Sequence, residues 1–250
     1  MRYKSLDELL RTYLLSQEEE GFKKRDNNWW YASELGTCLR KQFLRRLGIK
    51  GKEKQWRITF LAEQGKAIHN RIQDAIKNTG RLVAAEESIE DNDLRLKGRF
   101  DLIVNLNDKT EEPYLTLIDI KTQRPEAFFR RAKDPAKDKV KEFQKKQLAS
   151  YFFFARRKYP DLKDARIYYM DRGGGAREEF VFKFKPETFK EILDELNLLN
   201  TYWKNKEIPP CKKDWECKDM CDLYKKQCEL VKKGELTLDE FVSKFKRSPN

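Results

Sequence analysis

The sequence has 250 residues, of which 39% are hydrophobic and 38% charged, a balance that suits one large domain with a well-solvated surface. Lysine and arginine number 54 against 42 aspartates and glutamates, and the resulting net charge of +12 favours a polyanionic partner. Because no apolar run reaches the roughly 18 residues of a membrane span and residues 1–15 lack a leader pattern, we expect a cytoplasmic protein without a membrane contact.

The first third of the sequence is predicted to be helical. Apolar residues at helical spacing indicate three helices, at 5–20, 34–47 and 60–77. Ser33 is a candidate N-cap of the second helix, and Gly48 follows its end.

A strand-rich middle follows these helices. Strands are predicted at 82–89, 94–106, 114–121, 165–171 and 178–184 from their apolar patterns. Further helices are predicted at 138–157, between the third and fourth strands, and at 186–204, after the fifth. The order helix, three strands, helix, strand predicts an α/β fold with a mixed central sheet.

Three regions are expected along the chain. Residues 1–58 form a helical N-terminal region, 59–206 the α/β core, and 207–250 a C-terminal lobe that holds four of the five cysteines. The lobe is too short to bury a core of its own, and we expect it to need a covalent or metal staple.

Charged residues interrupt two of the predicted core strands. Asp101 lies within the second strand, and Asp119 and Lys121 end the third, where alternation places both on one face. Burial of a carboxylate and an ammonium is costly unless they are paired or bind a metal. Taken alone, this pattern is compatible with a structural ion pair as well as with a catalytic site.

Two other polar positions lie on predicted helices. His69, the only histidine, lies on the third helix with a small residue, Gly65, one turn before it. Gln147 and Tyr151 are four residues apart on the long helix and so share a face. Each position is by itself also compatible with ordinary core or surface packing.

Together these residues resemble the motifs of the PD-(D/E)XK nuclease superfamily, in its RecB-type branch. That branch has Gly-x-x-x-His, Gly-x-x-Asp, Asp-x-Lys and Gln-x-x-x-Tyr in this order. The matching segments here run from Gly65 to His69, Gly98 to Asp101, Asp119 to Lys121, and Gln147 to Tyr151. The resemblance also implies a restriction-endonuclease-like αβββαβ core.

The resemblance implies a metal-dependent nuclease that hydrolyses DNA, with a single-strand exonuclease as the expected type. His69, Asp101, Asp119 and the backbone carbonyl of Ile120 would hold Mn²⁺ or Mg²⁺, for which oxygen-rich ligand sets are suited. Lys121 would orient the attacking water or stabilise charge on the phosphate. Gln147 and Tyr151 would position the DNA backbone.

Four of the five cysteines lie close together in the C-terminal region, where a metal site is expected in a reducing compartment. The residues alone leave zinc and iron–sulfur binding open. A subset of RecB-type nucleases, which includes the CRISPR-associated adaptation exonuclease and viral relatives, carries a 4Fe–4S cluster. By this resemblance Cys38, Cys217, Cys221 and Cys228 are the expected ligands, and Cys211 is a possible substitute.

Basic residues on either side of the motifs are expected to contact DNA, in particular Arg40, Lys41, Arg124, Arg130 and Arg131. The expected substrate is DNA that is single-stranded or has single-stranded ends. CRISPR integration or recombination proteins are further possible partners that the resemblance implies. The alternative function is a non-catalytic module that binds DNA ends and carries a structural iron–sulfur or zinc site.

Overall fold

A computed structural model describes residues 5–49, 51, 56–107, 111–133, 140–173, 175–211, 217, 221 and 223. The helices are α1 (Leu6–Lys23), α2 (Leu39–Arg46), α3 (Trp56–Asn78), α4 (Pro125–Lys133), α5 (Glu142–Ala155) and α6 (Pro186–Asn205). A short 3-10 helix spans Ala32–Glu34. Within the described ranges, none of the helices has the length and apolar composition that a bilayer crossing requires.

The described strands form one mixed sheet. They are β1 (Trp30–Tyr31), β2 (Leu82–Asp91), β3 (Leu96–Asn105), β4 (Leu115–Gln123), β5 (Leu162–Asp171) and β6 (Arg177–Phe182). The strand order is β1-β3-β4-β5-β6, with β2 paired to β3. The β1–β3 and β4–β5 pairs are parallel, and the pairs β2–β3, β3–β4 and β5–β6 are antiparallel. The run α3-β2-β3-β4-α5-β5 confirms the predicted α/β fold.

The chain divides into two compact units. The first consists of Met1–Trp29, Cys38–Gln64 and Thr201–Asn250, and the second of Trp30–Thr37 and Gly65–Asn200. The whole sheet belongs to the second unit. The predicted boundaries at residues 58 and 206 remain predictions, since they describe a linear division of the chain.

The first unit contains an aromatic and cationic cluster. The rings of Phe43 and Trp203 pack edge to face, with centroids 5.4 Å apart. The guanidinium of Arg46 lies 4.2 Å from the Trp203 ring centroid, within the range of a cation–π interaction. Arg46 also donates a hydrogen bond of 2.9 Å from Nη2 to the Asn28 carbonyl. These contacts connect segments that are far apart in the sequence.

One hydrophobic cluster of the second unit lies between α3 and the sheet. Leu102, Val104 and Ile120, from β3 and β4, are buried together, and Ile72 and Ile76 of α3 pack against them. The spacing of Ile72 and Ile76 puts both side chains on one face of the helix. The apolar residues of β3 and β4 therefore explain both the pairing of these strands and the position of α3.

Two parts of the helical prediction differ from the structure. The second helix begins at Leu39 rather than at residue 34, because Ala32–Glu34 form a 3-10 helix and Gly36 has a φ of +76°. Helix α4 was not predicted, although Pro125 occupies the first helical position, where proline is favoured. The predicted start of the long helix falls at residue 138, outside the described residues.

Close packing at Gly98 yields a first prediction. A Cβ at this position would lie 2.8 Å from both the Ala32 Cβ and the Tyr151 Cε1. We expect Gly98→Ala to lower the free energy of unfolding by about 1–3 kcal/mol, as overpacking does, in urea denaturation. Gly21→Ala is the control, because a Cβ there meets nothing within 4 Å and helix propensity favours alanine. Equal stability of Gly98→Ala and the parent would contradict this packing.

Candidate active site

Strands β3 and β4 bring the two predicted aspartates together. Leu102 pairs with Ile118, and Asp101 and Asp119 are the next residues on the two antiparallel strands. The Asp101 Oδ2 accepts a hydrogen bond of 2.6 Å from the Ile120 N–H. The Asp101 carboxylate is thereby fixed to the backbone of the strand that carries Asp119.

Asp119 is a buried carboxylate with an elevated pKa. Its residue is 2% exposed, and its Oδ2 lies 2.8 Å from the Lys121 Nζ. Burial raises the pKa of Asp119 most, and the charge of Asp101 raises it further, against the lowering effect of Lys121 and His69. Oδ2 has no aligned hydrogen bond within the described part of the chain, so Lys121 acts on it mainly through charge.

The predicted histidine of α3 reaches the same place. The His69 Nδ1 lies 3.6 Å from the Asp101 Oδ2, and both side chains are largely buried. One turn earlier on the helix, a Cβ on Gly65 would come within 2.9 Å of the Thr122 Oγ1. The small residue at position 65 therefore lets this part of α3 lie against β4.

Helix α5 supplies a chain of hydrogen bonds that starts at the lysine. The Lys121 Nζ donates to the Gln147 Oε1 at 3.0 Å, and the Gln147 Nε2 donates to the Tyr151 hydroxyl at 3.0 Å. Gln147 and Tyr151 are both buried. Burial, together with the negative charge of Asp119, raises the pKa of Tyr151 well above its usual value, so its hydroxyl stays protonated at neutral pH.

The chemistry of these side chains is suited to a divalent cation. A buried carboxylate, a second carboxylate beside it and an imidazole are hard and borderline donors. The ligand atoms of His69, Asp101 and Asp119 do not all lie within 4.8 Å of one another.

The structure also brings three cysteines together. The sulfur atoms of Cys38, Cys211 and Cys217 all lie within 4.8 Å of one another, and those of Cys211 and Cys217 are 3.3 Å apart. Cys221 is described but does not belong to this group, and Cys228 lies outside the described residues. Cys211, which was expected only as a substitute ligand, thus lies close to Cys38 and Cys217, two of the expected cluster ligands.

The basic residues expected to contact DNA have different environments. Arg124 and Arg130 are exposed, at the start of α4 and within it, while Lys41 is half-buried on α2. Arg40 is 7% exposed, and its Nε donates a hydrogen bond of 2.7 Å to the Pro209 carbonyl. Arg131 belongs to α4, but its side chain lies outside the part of the chain that the structure describes.

Arg172 is a residue near this site that the sequence did not single out. It follows β5, and its backbone N–H donates to the Gln123 carbonyl at 2.9 Å. The position becomes visible only through the parallel pairing of β4 with β5, in which Lys121 is opposite Tyr169. A basic residue after an apolar strand carries no distinguishing signal in a lysine-rich and arginine-rich sequence.

An αβββαβ core with two aspartates and a lysine on adjacent strands is the combination of fold and site that is typical of a family of nucleases. The chain belongs to the PD-(D/E)XK nuclease superfamily, whose family model matches residues 6–229. A comparison of the sequence with curated proteins finds no match.

Solved structures share the fold at low sequence identity. The crystal structure of SSO0001 has a TM-score of 0.50 and 18% identity, with 86% of this chain and 95% of that chain covered. The alkaline exonuclease LHK-Exo from Laribacter hongkongensis has a TM-score of 0.50 and 16% identity, with 75% and 93% covered. Its structure in complex with dAMP has a TM-score of 0.49 and 16% identity, over the same shares of the two chains.

The raised pKa of Asp119 predicts a pH-dependent gain in stability when its charge is removed. Because the folded state disfavours the ionised form, the contribution of Asp119 to stability falls as pH rises above its unfolded pKa of about 3.9. In EDTA at neutral pH we expect Asp119→Asn to raise the Tm by roughly 2–8 °C, with no gain below about pH 4. Thermal unfolding followed by circular dichroism measures both values.

A metal titration provides the control for this prediction. Mn²⁺ should raise the Tm of the parent protein, since a ligand that binds only the folded state stabilises it. The Asn variant should respond much less. An Asn variant that is less stable than the parent at neutral pH would show that the ion pair with Lys121 outweighs the burial cost of Asp119.

Proposed function

We propose that the protein is a metal-dependent deoxyribonuclease that acts as an exonuclease on DNA with single-stranded ends. The observation that carries this proposal is the position of Asp119. Its carboxylate is buried, lies beside Asp101 and forms an ion pair with Lys121. The family membership supports phosphodiester hydrolysis. The fold shared with the Laribacter alkaline exonuclease agrees with this activity.

In this proposal His69, Asp101, Asp119 and the Ile120 carbonyl would hold Mn²⁺ or Mg²⁺. When bound, such an ion polarises a phosphate and lowers the pKa of a coordinated water. The hydrogen bond from the Ile120 N–H would hold the Asp101 carboxylate in place. His69 would bind the ion through a ring nitrogen, as histidine does in metal sites generally.

The lysine would orient the attacking water or stabilise the charge that develops on the phosphate. Gln147 accepts a hydrogen bond from the Lys121 ammonium and so limits its directions. Tyr151, protonated at neutral pH, keeps the Gln147 amide oriented through the hydrogen bond between them. Tyr151 therefore acts as a positioning residue that determines where the Lys121 ammonium lies.

The DNA strand would approach across the exposed cations around α4. Arg124 and Arg130 are exposed there, and sequence-independent phosphate contacts of this kind supply most of the affinity for nucleic acid. Arg40 is left out of this surface because it is buried and engaged with the Pro209 carbonyl. The DNA ends would be those that arise in CRISPR adaptation, recombination or viral replication, the settings of the resembling nucleases.

End-labelled DNA tests the proposed nuclease directly. We expect Mn²⁺ or Mg²⁺ to support progressive shortening of single-stranded DNA from an end, and EDTA to abolish it. Asp119→Ala should reduce cleavage by at least about 10³-fold because it removes a metal ligand, while DNA binding is retained. Tyr151→Phe should reduce the rate by roughly tenfold or less, since it loses one hydrogen bond to Gln147.

Arg177→Gln, at an exposed position on β6, is a control for general effects of surface substitution. Undiminished cleavage by clean Asp119→Ala protein would refute the assignment. Metal-independent DNA binding by the parent protein without any cleavage would instead support a non-catalytic module that binds DNA ends.

We further propose that Cys38, Cys211 and Cys217 supply three ligands of a 4Fe–4S cluster, with the fourth from Cys221 or Cys228. The mutual proximity of the three sulfur atoms supports a shared metal site. Thiolate ligands are suited to iron–sulfur clusters and to zinc, and four cysteines are the usual cluster set. The site would hold together segments of the first unit that are distant in sequence.

Metal content and visible absorption after anaerobic purification test this ligand set. We expect the parent protein to be brown, with about four iron and four sulfide per chain. Cys211→Ser and Cys217→Ser should each lose most of the iron, and only one of Cys221→Ser and Cys228→Ser should do so. Zinc in place of iron would contradict the cluster. Full iron retention by Cys211→Ser would favour the set Cys38, Cys217, Cys221 and Cys228.

A further inference from the structure

A second cationic site lies beside the proposed active site, at the ends of β4 and β5. Arg172 follows β5, and its guanidinium is anchored on one residue of β4. Its Nε donates to the Thr122 Oγ1 at 3.2 Å, and its Nη2 donates to the Thr122 carbonyl at 3.3 Å. The side chain is half-buried, so the guanidinium is held in place rather than extended into solvent.

The anchoring groups are neutral and leave the charge of Arg172 uncompensated. Within the described part of the chain, no carboxylate forms an ion pair with it. The adjacent Asp171 is directed elsewhere, because its two oxygens accept hydrogen bonds from the N–H groups of Gly173 and Ala176. A partly buried guanidinium without an anion is unusual, since burial of an unpaired charge is costly.

Two observations indicate that an anion belongs at this position. The Arg172 Nη1 is enclosed and has no hydrogen-bond acceptor among the residues that the structure describes. A second cation is close by, because Arg124 directly follows Gln123, whose carbonyl accepts a hydrogen bond of 2.9 Å from the Arg172 N–H. Burial and the charge of Arg124 both lower the pKa of the Arg172 guanidinium. Neighbouring arginines with an unused donor are the kind of groups that bind phosphate oxygens.

The position of this pair relates it to the active site. Thr122, the anchor of Arg172, directly follows Lys121 on β4. The Oγ1 of Thr122 that accepts from Arg172 also faces α3 at Gly65, and His69 lies one helical turn further along the same helix. Arg172 is thus held against the strand that carries Lys121, on the side where α3 presents His69.

We propose that Arg172 and Arg124 bind a phosphate of the substrate strand that neighbours the scissile phosphate. This inference rests on the proposed nuclease function, to which it adds a subsite. An oxygen of that phosphate would supply the acceptor that Nη1 lacks among the described residues. The phosphate is either an internal diester or the terminal monoester of the strand.

Salt-dependent DNA binding in EDTA, where no cleavage occurs, tests the subsite. We expect Arg172→Gln to weaken binding of a single-stranded oligonucleotide by about tenfold at low salt. The slope of log K against log salt should fall by about 0.7, the value for one phosphate contact on a single strand. Arg172→Lys should keep most of the slope, because it retains the charge. Arg177→Gln removes one exposed charge from β6 and should leave affinity and slope unchanged.

A modified substrate makes the test independent of the variant's folding. Parent protein should lose the same increment of slope on an oligonucleotide with a neutral methylphosphonate beside the scissile position, and Arg172→Gln should lose nothing further, as a double-mutant cycle requires. A loss confined to 5′-phosphorylated or 3′-phosphorylated DNA identifies the terminal monoester, and an equal loss on hydroxyl-ended DNA identifies an internal diester.

The subsite and the nuclease can fail separately. If the parent protein cleaves DNA with metal but Arg172→Gln and the methylphosphonate leave affinity and slope unchanged, the subsite is refuted and the nuclease stands. If the parent protein neither binds nor cleaves DNA, both proposals are refuted. A lower Tm for Arg172→Gln with an unchanged slope assigns Arg172 to the structural connection between β4 and β5, and this also refutes the subsite.

Discussion

The burial of the Asp119 carboxylate is the constraint on which the second unit depends. A charge of this kind in a central strand is unfavourable unless other groups offset it. Lys121 offsets part of it from two residues along the same strand, and Asp101 adds to the cost from the neighbouring strand. Burial of Asp119 therefore carries an energetic cost that the proposed divalent cation would offset.

The packing around this charge depends on two glycines that let helices approach strands. At Gly98 the backbone of β3 comes so close to Tyr151 that any side chain would collide with it. At Gly65 helix α3 comes equally close to Thr122. The first approach supports the hydrogen bonds from Tyr151 through Gln147 to Lys121, and the second supports the anchor of Arg172. Each glycine therefore permits a close contact on which the position of a cation depends.

Sequence patterns could predict the order of the elements, because the core strands carry runs of apolar residues that are stable only when buried. Asp119 and Lys121 could be singled out for the opposite reason, since charges are rare within such strands. The separate 3-10 helix at Ala32–Glu34 was not predicted, because the break between it and α2 depends on the positive φ of Gly36. Helix α4 escaped it because only Pro125 marks its start.

The contacts within the site are less accessible to sequence reasoning than its residues. The hydrogen bond between Lys121 and Gln147 depends on where α5 lies on the sheet, which periodicity alone does not determine. The grouping of Cys211 with Cys38 and Cys217 likewise requires the path of the chain after α6. Arg172 was overlooked because its meaning comes from an anchor on β4, fifty positions earlier in the sequence.

The discontinuity of the first unit has a consequence for synthesis on the ribosome. Met1–Trp29 and Cys38–Gln64 emerge early, yet their partners begin at Thr201. Because translation adds roughly 5–20 residues per second, α1 and α2 are synthesised on the order of ten to thirty seconds before these partners. Meanwhile the sheet of the second unit has all its strands by Phe182. The trio of cysteines is complete only once Cys217 has left the exit tunnel, so loading of the proposed cluster would belong to a late stage of maturation.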